Sequence, residues 1–354
     1  MKDYIKKVID KIWVVNRSND YEELLFSQSK PFESEIPQFL DSSINQSFKR
    51  DNEYHFHGQF IRKYLGNIFI EPDYLFCIRN FNEIIESSIS IIQLPSFPRY
   101  LRSKFSRTTQ LPRAIILDGQ LGVNYFHFYS DVLGKLWLIK KIDNYSDIPI
   151  LVSSKVFNTK HFQYALKSHF FQGLNILVPH NSQYIVTKEL YLLSALPYDN
   201  CSFKKVAAQF KHDLPSAIPT RRIFLNRQRN SGRNISNFES IIPILEKYEF
   251  EIVETENMSL TEQIQLFQSA KELISIHGAG NINIIFSDER LKFLEIMPAS
   301  RIACQYYWLS KTLKISYYDC ILGGNLEMSS NEDKTSFILE PLKLENAIIA
   351  LLKN

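Results

Sequence analysis

The stretch "ELISIHGAGNINIIF", residues 272–286, ends a short apolar run on a histidine and two glycines and then turns apolar again. Glycines there permit positive φ and let the backbone approach a ligand, while N–H groups at a following helix start attract phosphate. His277, Gly278, Ala279 and Gly280 therefore make a candidate phosphate or pyrophosphate cradle, with the histidine as an added donor. A tight strand-to-helix turn with a histidine satisfied by backbone gives the same pattern without any ligand. The dinucleotide fingerprint G-x-G-x-x-G fails at Asn283, which argues against a dehydrogenase.

Three further sets of residues can do chemistry. In "RRIFLNRQRNSGRNISNFE", Arg227 and Arg233 follow a strand and can pair bidentately with a diphosphate, whereas Arg221 and Arg229 read as solvated. Glu295, in "LKFLEIMP", ends another strand and can accept from ribose hydroxyls; an ordinary surface glutamate is the alternative. In "NYFHFYSDVLGKLWLI", Asn124, His127 and Asp131 recur on one helix face near its amino end. Local packing of His127, with Asp131 paired to Lys135, is the competing arrangement.

These residues need strand ends and helix starts to hold them. Short apolar runs alternate with amphipathic stretches from residue 113: "RAIILDG", a helix in 124–142, "IPILVS", a helix near 159–171, and "NILVP". This is the signature of a parallel sheet covered by helices. The polar "KHDLPSAIPT", 211–220, interrupts the rhythm and is the expected junction between a domain 1–215 and a domain 216–354. Beyond it the alternation restarts in strands "RRIFLN", "FEIVET", "ELISI", "LKFLEIM" and "KISYYDC", separated by helices. A last helix with Pro341 in its first turn closes the chain, placed on the second domain or back on the first. The first 110 residues give only a strand pair around "NIFIEPDYLFCIRN". Two such α/β layers are expected to face a cleft at the carboxyl ends of their strands.

Composition narrows the class. The chain has 354 residues, 41 basic against 38 acidic, and a net charge of +3, a balance that argues against general binding to nucleic acid. Its four cysteines, Cys77, Cys201, Cys304 and Cys320, have no metal-finger spacing, and neither a secretory signal nor a membrane-spanning stretch is recognisable. A cytoplasmic protein is expected. In "MKDYIKKVIDKIW", apolar residues recur at helical spacing among lysines, so residues 1–15 either touch a membrane surface or pack on the protein's own body.

The segment from Arg221 to Pro298 resembles the core of glycosyltransferase family 61. The matching residues are Arg227, Arg233, Asn237 with Glu239, Glu262 with Gln263, His277 to Gly280, Asn283, Phe286 and Glu295; Asn281 stands where leucine is usual and Asn226 where serine is common. Asn124, His127 and Asp131 are similar to that family's Asn-x-x-His-x-x-x-Asp segment. The resemblance implies a GT-B arrangement of two Rossmann-like domains and inversion at the anomeric carbon. It implies donor binding by the second domain, through Arg227, Arg233, His277, Gly278, Ala279, Gly280, Asn283 and Glu295, with Asn124, Asn237 and Glu239 supporting.

Inversion by a single displacement needs a base and a group that takes the leaving diphosphate's charge. Asp131 is the first choice for the base and His127 the second, alone or together. No metal or other cofactor is expected to be essential, since the chain has no Asp-x-Asp and no clustered ligands. The expected partners are a nucleotide-sugar donor, read as a UDP-sugar, and a glycan or lipid-linked glycan acceptor in capsule or lipopolysaccharide synthesis. A sugar-phosphate or polyol-phosphate transferase and a non-catalytic sugar-nucleotide or glycan-binding relative remain the alternatives.

Overall fold

The structure is a computed structural model that describes the chain apart from residues 1–15, 19, 29, 32–38, 40, 46–54, 57, 81–82, 86–106, 120, 181–182, 196–199, 212–213, 229–231 and 325–335. The amphipathic stretch 1–15 and Arg229 thus lie outside the described residues. The chain divides into two compact units, one of residues 1–29 and 57–197, the other of residues 30–56 and 198–354. The division falls at 197/198 rather than at 215/216. The helix Asn200–Lys211 already belongs to the second unit, where Phe210 meets Phe286 at 6.2 Å between ring centroids.

The first unit is built on a mixed nine-stranded sheet. Its strands are β1 (Asn16–Ser18), β2 (Glu22–Ser27), β5 (Gln59–Ile70), β6 (Cys77–Asn80), β7 (Glu83–Ile85), β8 (Arg107–Ile116), β9 (Ile150–Leu151), β10 (Ile176–Leu177) and β11 (Gln183–Leu193); β3 (Lys30–Pro31) and β4 (His55–Phe56) pair separately in the second unit. The order is β1-β7-β6-β5-β11-β8-β9-β10, with β2 also on β5. Parallel pairing runs from β11 through β8 and β9 to β10, the part with helical crossovers that the alternation after residue 113 predicts. The other half is mostly antiparallel. Its β5–β6 pair, joined at Ile70 and Cys77, is the strand pair expected around residues 67–80.

The second unit is a five-stranded, wholly parallel sheet: β12 (Arg221–Asn226), β13 (Glu251–Glu254), β14 (Ala270–Ile276), β15 (Lys292–Pro298) and β16 (Tyr317–Gly323), in the order β13-β12-β14-β15-β16. β14 and β15 are buried almost throughout, because helices cover both faces of such a sheet, and they therefore read as continuous apolar runs. Ser259 and Glu262 form a reciprocal capping box that starts the helix Leu260–Ser269. The closing helix Pro341–Lys353 stays with this unit, its Leu344, Ala347, Ile348 and Leu351 joining Phe224, Ile274, Leu294 and Ile321 in one core.

One piece of the amino-terminal region also packs here. Asp41 accepts from the backbone N–H of Leu322 at 3.0 Å and from Lys343 Nζ at 2.9 Å, and Phe39 stands edge-on to Tyr307 and Tyr318. The chain reverses its strand order between β12 and β14, the place where open α/β sheets bind ligands beyond the carboxyl ends of their strands.

Candidate functional site

Arg227 directly follows β12 and the glycine turn directly follows β14, so the two meet at that reversal. Both arginines aim at one atom: Arg233 Nη1 donates to the His277 carbonyl at 3.0 Å and Arg227 Nη1 at 3.5 Å. Arg227 Nε also donates to the Gly232 carbonyl at 3.0 Å, and Gly232 and Arg233 both take positive φ to make that loop. Carbonyls carry no net charge, so these bonds orient the guanidiniums without cancelling their charge. Burial lowers the Arg227 pKa, and the nearby Glu256 and Tyr306 oppose that shift.

Gly278 is needed for room rather than for positive φ. Its φ of −177° is extended backbone open to any residue, whereas a Cβ added there would stand 2.1 Å from Arg227 Nη1. Gly280 lacks that constraint, its nearest neighbour being Thr255 Oγ1 at 3.9 Å. Neither glycine takes positive φ, contrary to the sequence reading. Ala279 opens the 3₁₀ helix Ala279–Phe286, whose leading N–H groups have no acceptor within the helix.

His277 and Glu295 sit deeper than expected. Their side chains are 1% and 0% exposed, and His277 Nδ1 lies 2.7 Å from Glu295 Oε1. Register explains the meeting. Ser275 is the partner of Glu295 across β14 and β15, and His277 follows two residues later on the same face. Across β15 and β16, Cys320 is the partner of Glu295, and Tyr318, two residues earlier, donates its hydroxyl to Glu295 Oε2. Burial, and then the charge of Glu295, push the Tyr318 pKa well up, so the phenol remains a donor. Both carboxylate oxygens are thus engaged inside the protein, and Glu295 orients His277 rather than receiving a ribose directly.

Two other predicted residues hold the frame. Asn283 is fully buried and donates to Gln263 Oε1 at 3.0 Å, while Gln263 donates to the carbonyls of Thr255 and Met258. Asn283 therefore ties the turn to the loop before the helix Leu260–Ser269 and does not face solvent. Asn237 bonds the backbone N–H and C=O of Leu339, clamping the loop after β12 to the segment before the last helix. Glu239 is exposed on the short helix Phe238–Ser240.

In the first unit, the helical segment 125–139 begins with Asn124 capping it, its Oδ1 accepting from Phe126 N at 2.9 Å. The winding widens to a π-turn over Phe128–Val132, an insertion frequent at functional sites. His127 Nδ1 lies 2.8 Å from Asp131 Oδ2, and Ser130 Oγ donates to Asp131 Oδ1 at 2.7 Å. Asp131 therefore pairs one turn back, with His127, while Lys135 acts on it only as a nearby charge. The side chains of His127 and Asp131 are 31% and 34% exposed to solvent.

Asp118, just after β8, is buried and accepts from Ser153 N at 3.0 Å and from Ser153 Oγ. Desolvation raises its pKa to about 6, against those hydrogen bonds and the charge of Lys135. Sequence reasoning missed Gln305, Tyr306 and Tyr318. Gln305 Nε2 lies 3.4 Å from His277 Nε2, and Tyr306 Oη donates to the Gly278 carbonyl. The signal available was "CQYYW", where a polar residue opens a helix of aromatics just past a strand that carries a buried acid.

The Glycosyltransferase 61 family description matches residues 125–294, from the helix of His127 to the residue before Glu295. Over residues 125–294 the chain is similar to glycosyltransferase family 61. This segment takes in the histidine–aspartate pair, both arginines and the glycine turn. No protein of curated function matches the chain. Among solved structures, the crystal structure of the bacterial iron-containing dodecameric glycosyltransferase TibC from enterotoxigenic E. coli H10407 is 11% identical, over 69% of this chain and 76% of that one, with a TM-score of 0.29, a likeness too low to carry an argument. Among the described residues no group of three His, Cys, Asp or Glu side chains is arranged to hold a metal ion, and no helix is long and apolar enough to cross a membrane.

Proposed function

We propose that the chain transfers a glycosyl group, with inversion, from a nucleoside-diphosphate sugar to a glycan hydroxyl. The carrying observation is the convergence of Arg227 and Arg233 on the backbone of the Gly278 turn, at the strand-order reversal of the second unit. There two cations and the amides of Ala279 and Gly280 take the charge that develops on the leaving diphosphate. The base is the His127–Asp131 pair. Asp131 has both oxygens engaged, so it holds Nδ1–H, and His127 Nε2 receives the acceptor's proton. This reverses the order in which the sequence ranks the two residues.

A UDP-sugar donor, an acceptor in surface polysaccharide synthesis and a place on the inner face of a membrane are supported by resemblance and composition alone. The test is a thermal-shift panel of nucleoside diphosphates and nucleotide sugars, in which a bound donor raises the melting temperature. At least one should stabilise the protein, and Arg227→Ala should abolish that shift; unchanged nucleotide affinity in the variant would sink the cradle. Because the arginines take the leaving-group charge, transfer should persist in excess chelator, and its loss would assign that task to a metal.

A further inference from the structure

Tyr318, Glu295, His277 and Gln305 form one continuous chain of polar contacts that begins in the core and ends on a half-buried amide. The direction of each bond follows from its neighbour. An ionised glutamate only accepts, so it takes the Tyr318 hydroxyl on one oxygen and the His277 Nδ1–H on the other. With its proton on Nδ1, His277 offers a lone pair at Nε2, and only the NH₂ of Gln305 can fill it. The Gln305 carbonyl is then the amide end turned away from His277. Gln305 opens the helix Gln305–Leu313, just past the carboxyl end of β15 and on the far side of β14 from Arg227.

We propose that Gln305 is a specificity-determining residue of the donor site: its carbonyl oxygen, fixed outward by the Tyr318–Glu295–His277 chain, accepts a hydrogen bond from a neutral hydroxyl of the nucleotide sugar. The assignment rests on the nucleotide-sugar reading above. A diphosphate held at β12 and β14 leaves its hydroxyl-bearing parts, ribose or transferred sugar, to reach across β14 toward β15. An outward carbonyl selects for a donor group and repels phosphate oxygens. The acceptor role that the sequence gives to Glu295 thus passes through His277 to Gln305.

The test is calorimetric titration of the full chain and of Gln305→Ala with the nucleoside diphosphate that stabilises it best, its 2′-deoxy and 3′-deoxy forms, the matching nucleotide sugar, and that sugar's deoxy analogues. In wild-type protein one deoxy probe should bind about 3- to 10-fold more weakly than its parent, the worth of one neutral hydrogen bond. In Gln305→Ala that discrimination should vanish, while the deoxy probe itself binds both proteins alike. A deoxyribose probe showing the effect assigns the hydroxyl to ribose, and a deoxysugar probe assigns it to the transferred sugar. Tyr318→Phe, which frees one Glu295 oxygen but leaves Gln305 in place, should narrow the discrimination only in part. If the parent nucleotides bind and Gln305→Ala discriminates as the wild type does, this inference is wrong and the nucleotide-sugar reading stands. If wild-type protein binds no nucleotide, both fall together.

Discussion

Two histidine–carboxylate pairs of nearly equal geometry occupy the two units: His127 and Asp131 at 2.8 Å, His277 and Glu295 at 2.7 Å. Their surroundings are opposite. The first pair is about one-third exposed, and the second has 1% and 0% of its side-chain surface open. A pair that solvent and substrate can reach is able to pass a proton to either. A pair sealed in a core, its carboxylate bonded on both oxygens, fixes a tautomer and a ring orientation instead. On the proposed reading the same two residue types serve chemistry in one unit and alignment in the other, and burial decides which.

The comparison breaks most sharply at Asp131. Asp131→Asn keeps the shape of the pair but removes the acceptor charge that steadies Nδ1–H. Steady-state assays should show transfer falling by about 10²- to 10³-fold with nucleotide affinity unchanged. The matched change in the buried pair, Glu295→Gln, should instead show as a loss of stability and of donor discrimination.

Asp118 extends the contrast to a carboxylate buried without a histidine. Its folded pKa of about 6 stands above its ordinary value of 3.8, so its protonated form is the better fit to the fold. Its contribution to stability is therefore fully present below pH 3.8 and is lost as pH rises toward 6. That loss amounts to about 3 kcal/mol by neutral pH. Denaturant titrations between pH 4 and 7 should show Asp118→Asn flattening this dependence; an unchanged pH profile would mean that Asp118 titrates normally.

Gly278→Ala is expected to act on affinity and spare the fold. The clash falls on the far end of the Arg227 side chain, which can swing away, so melting should change little. Nucleotide affinity should drop about 10-fold or more, the worth of a charge-assisted hydrogen bond. The smallest effect is expected for Tyr318→Phe, about 1 kcal/mol of stability for one hydrogen bond to Glu295, read from chemical denaturation.

How much of this the sequence carries depends on the kind of sheet. Every strand of the five-stranded parallel sheet is recognisable: β14 and β15, covered on both faces, read as continuous apolar runs, and "RRIFLN" coincides with Arg221–Asn226. The antiparallel half of the first unit hides for the converse reason. β2 is exposed along most of its length, and β5 pairs with β11, Ile70 lying opposite Ile185, a partner far along the chain. β11 itself went unread, and so did its place between β5 and β8.

The site was legible as a set of residues and illegible as a set of roles. Arg227, Arg233 and the glycine turn are marked by type and spacing. That Gly278 makes room for a guanidinium, or that Glu295 looks inward at His277 and Tyr318, depends on strand register, which no single strand's sequence contains. Asn237, Glu262 and Asn283 fit the family pattern, yet they clamp a loop, cap a helix and pin a turn.

The most direct test of the account sets His127→Gln beside Arg227→Ala in one preparation, measuring nucleotide affinity by calorimetry and sugar transfer by product formation. The account predicts that His127→Gln binds nucleotide as wild type does while transfer falls by at least about 10²-fold, and that Arg227→Ala loses affinity itself. Near wild-type transfer by His127→Gln, or a loss of nucleotide affinity in that variant, would contradict it.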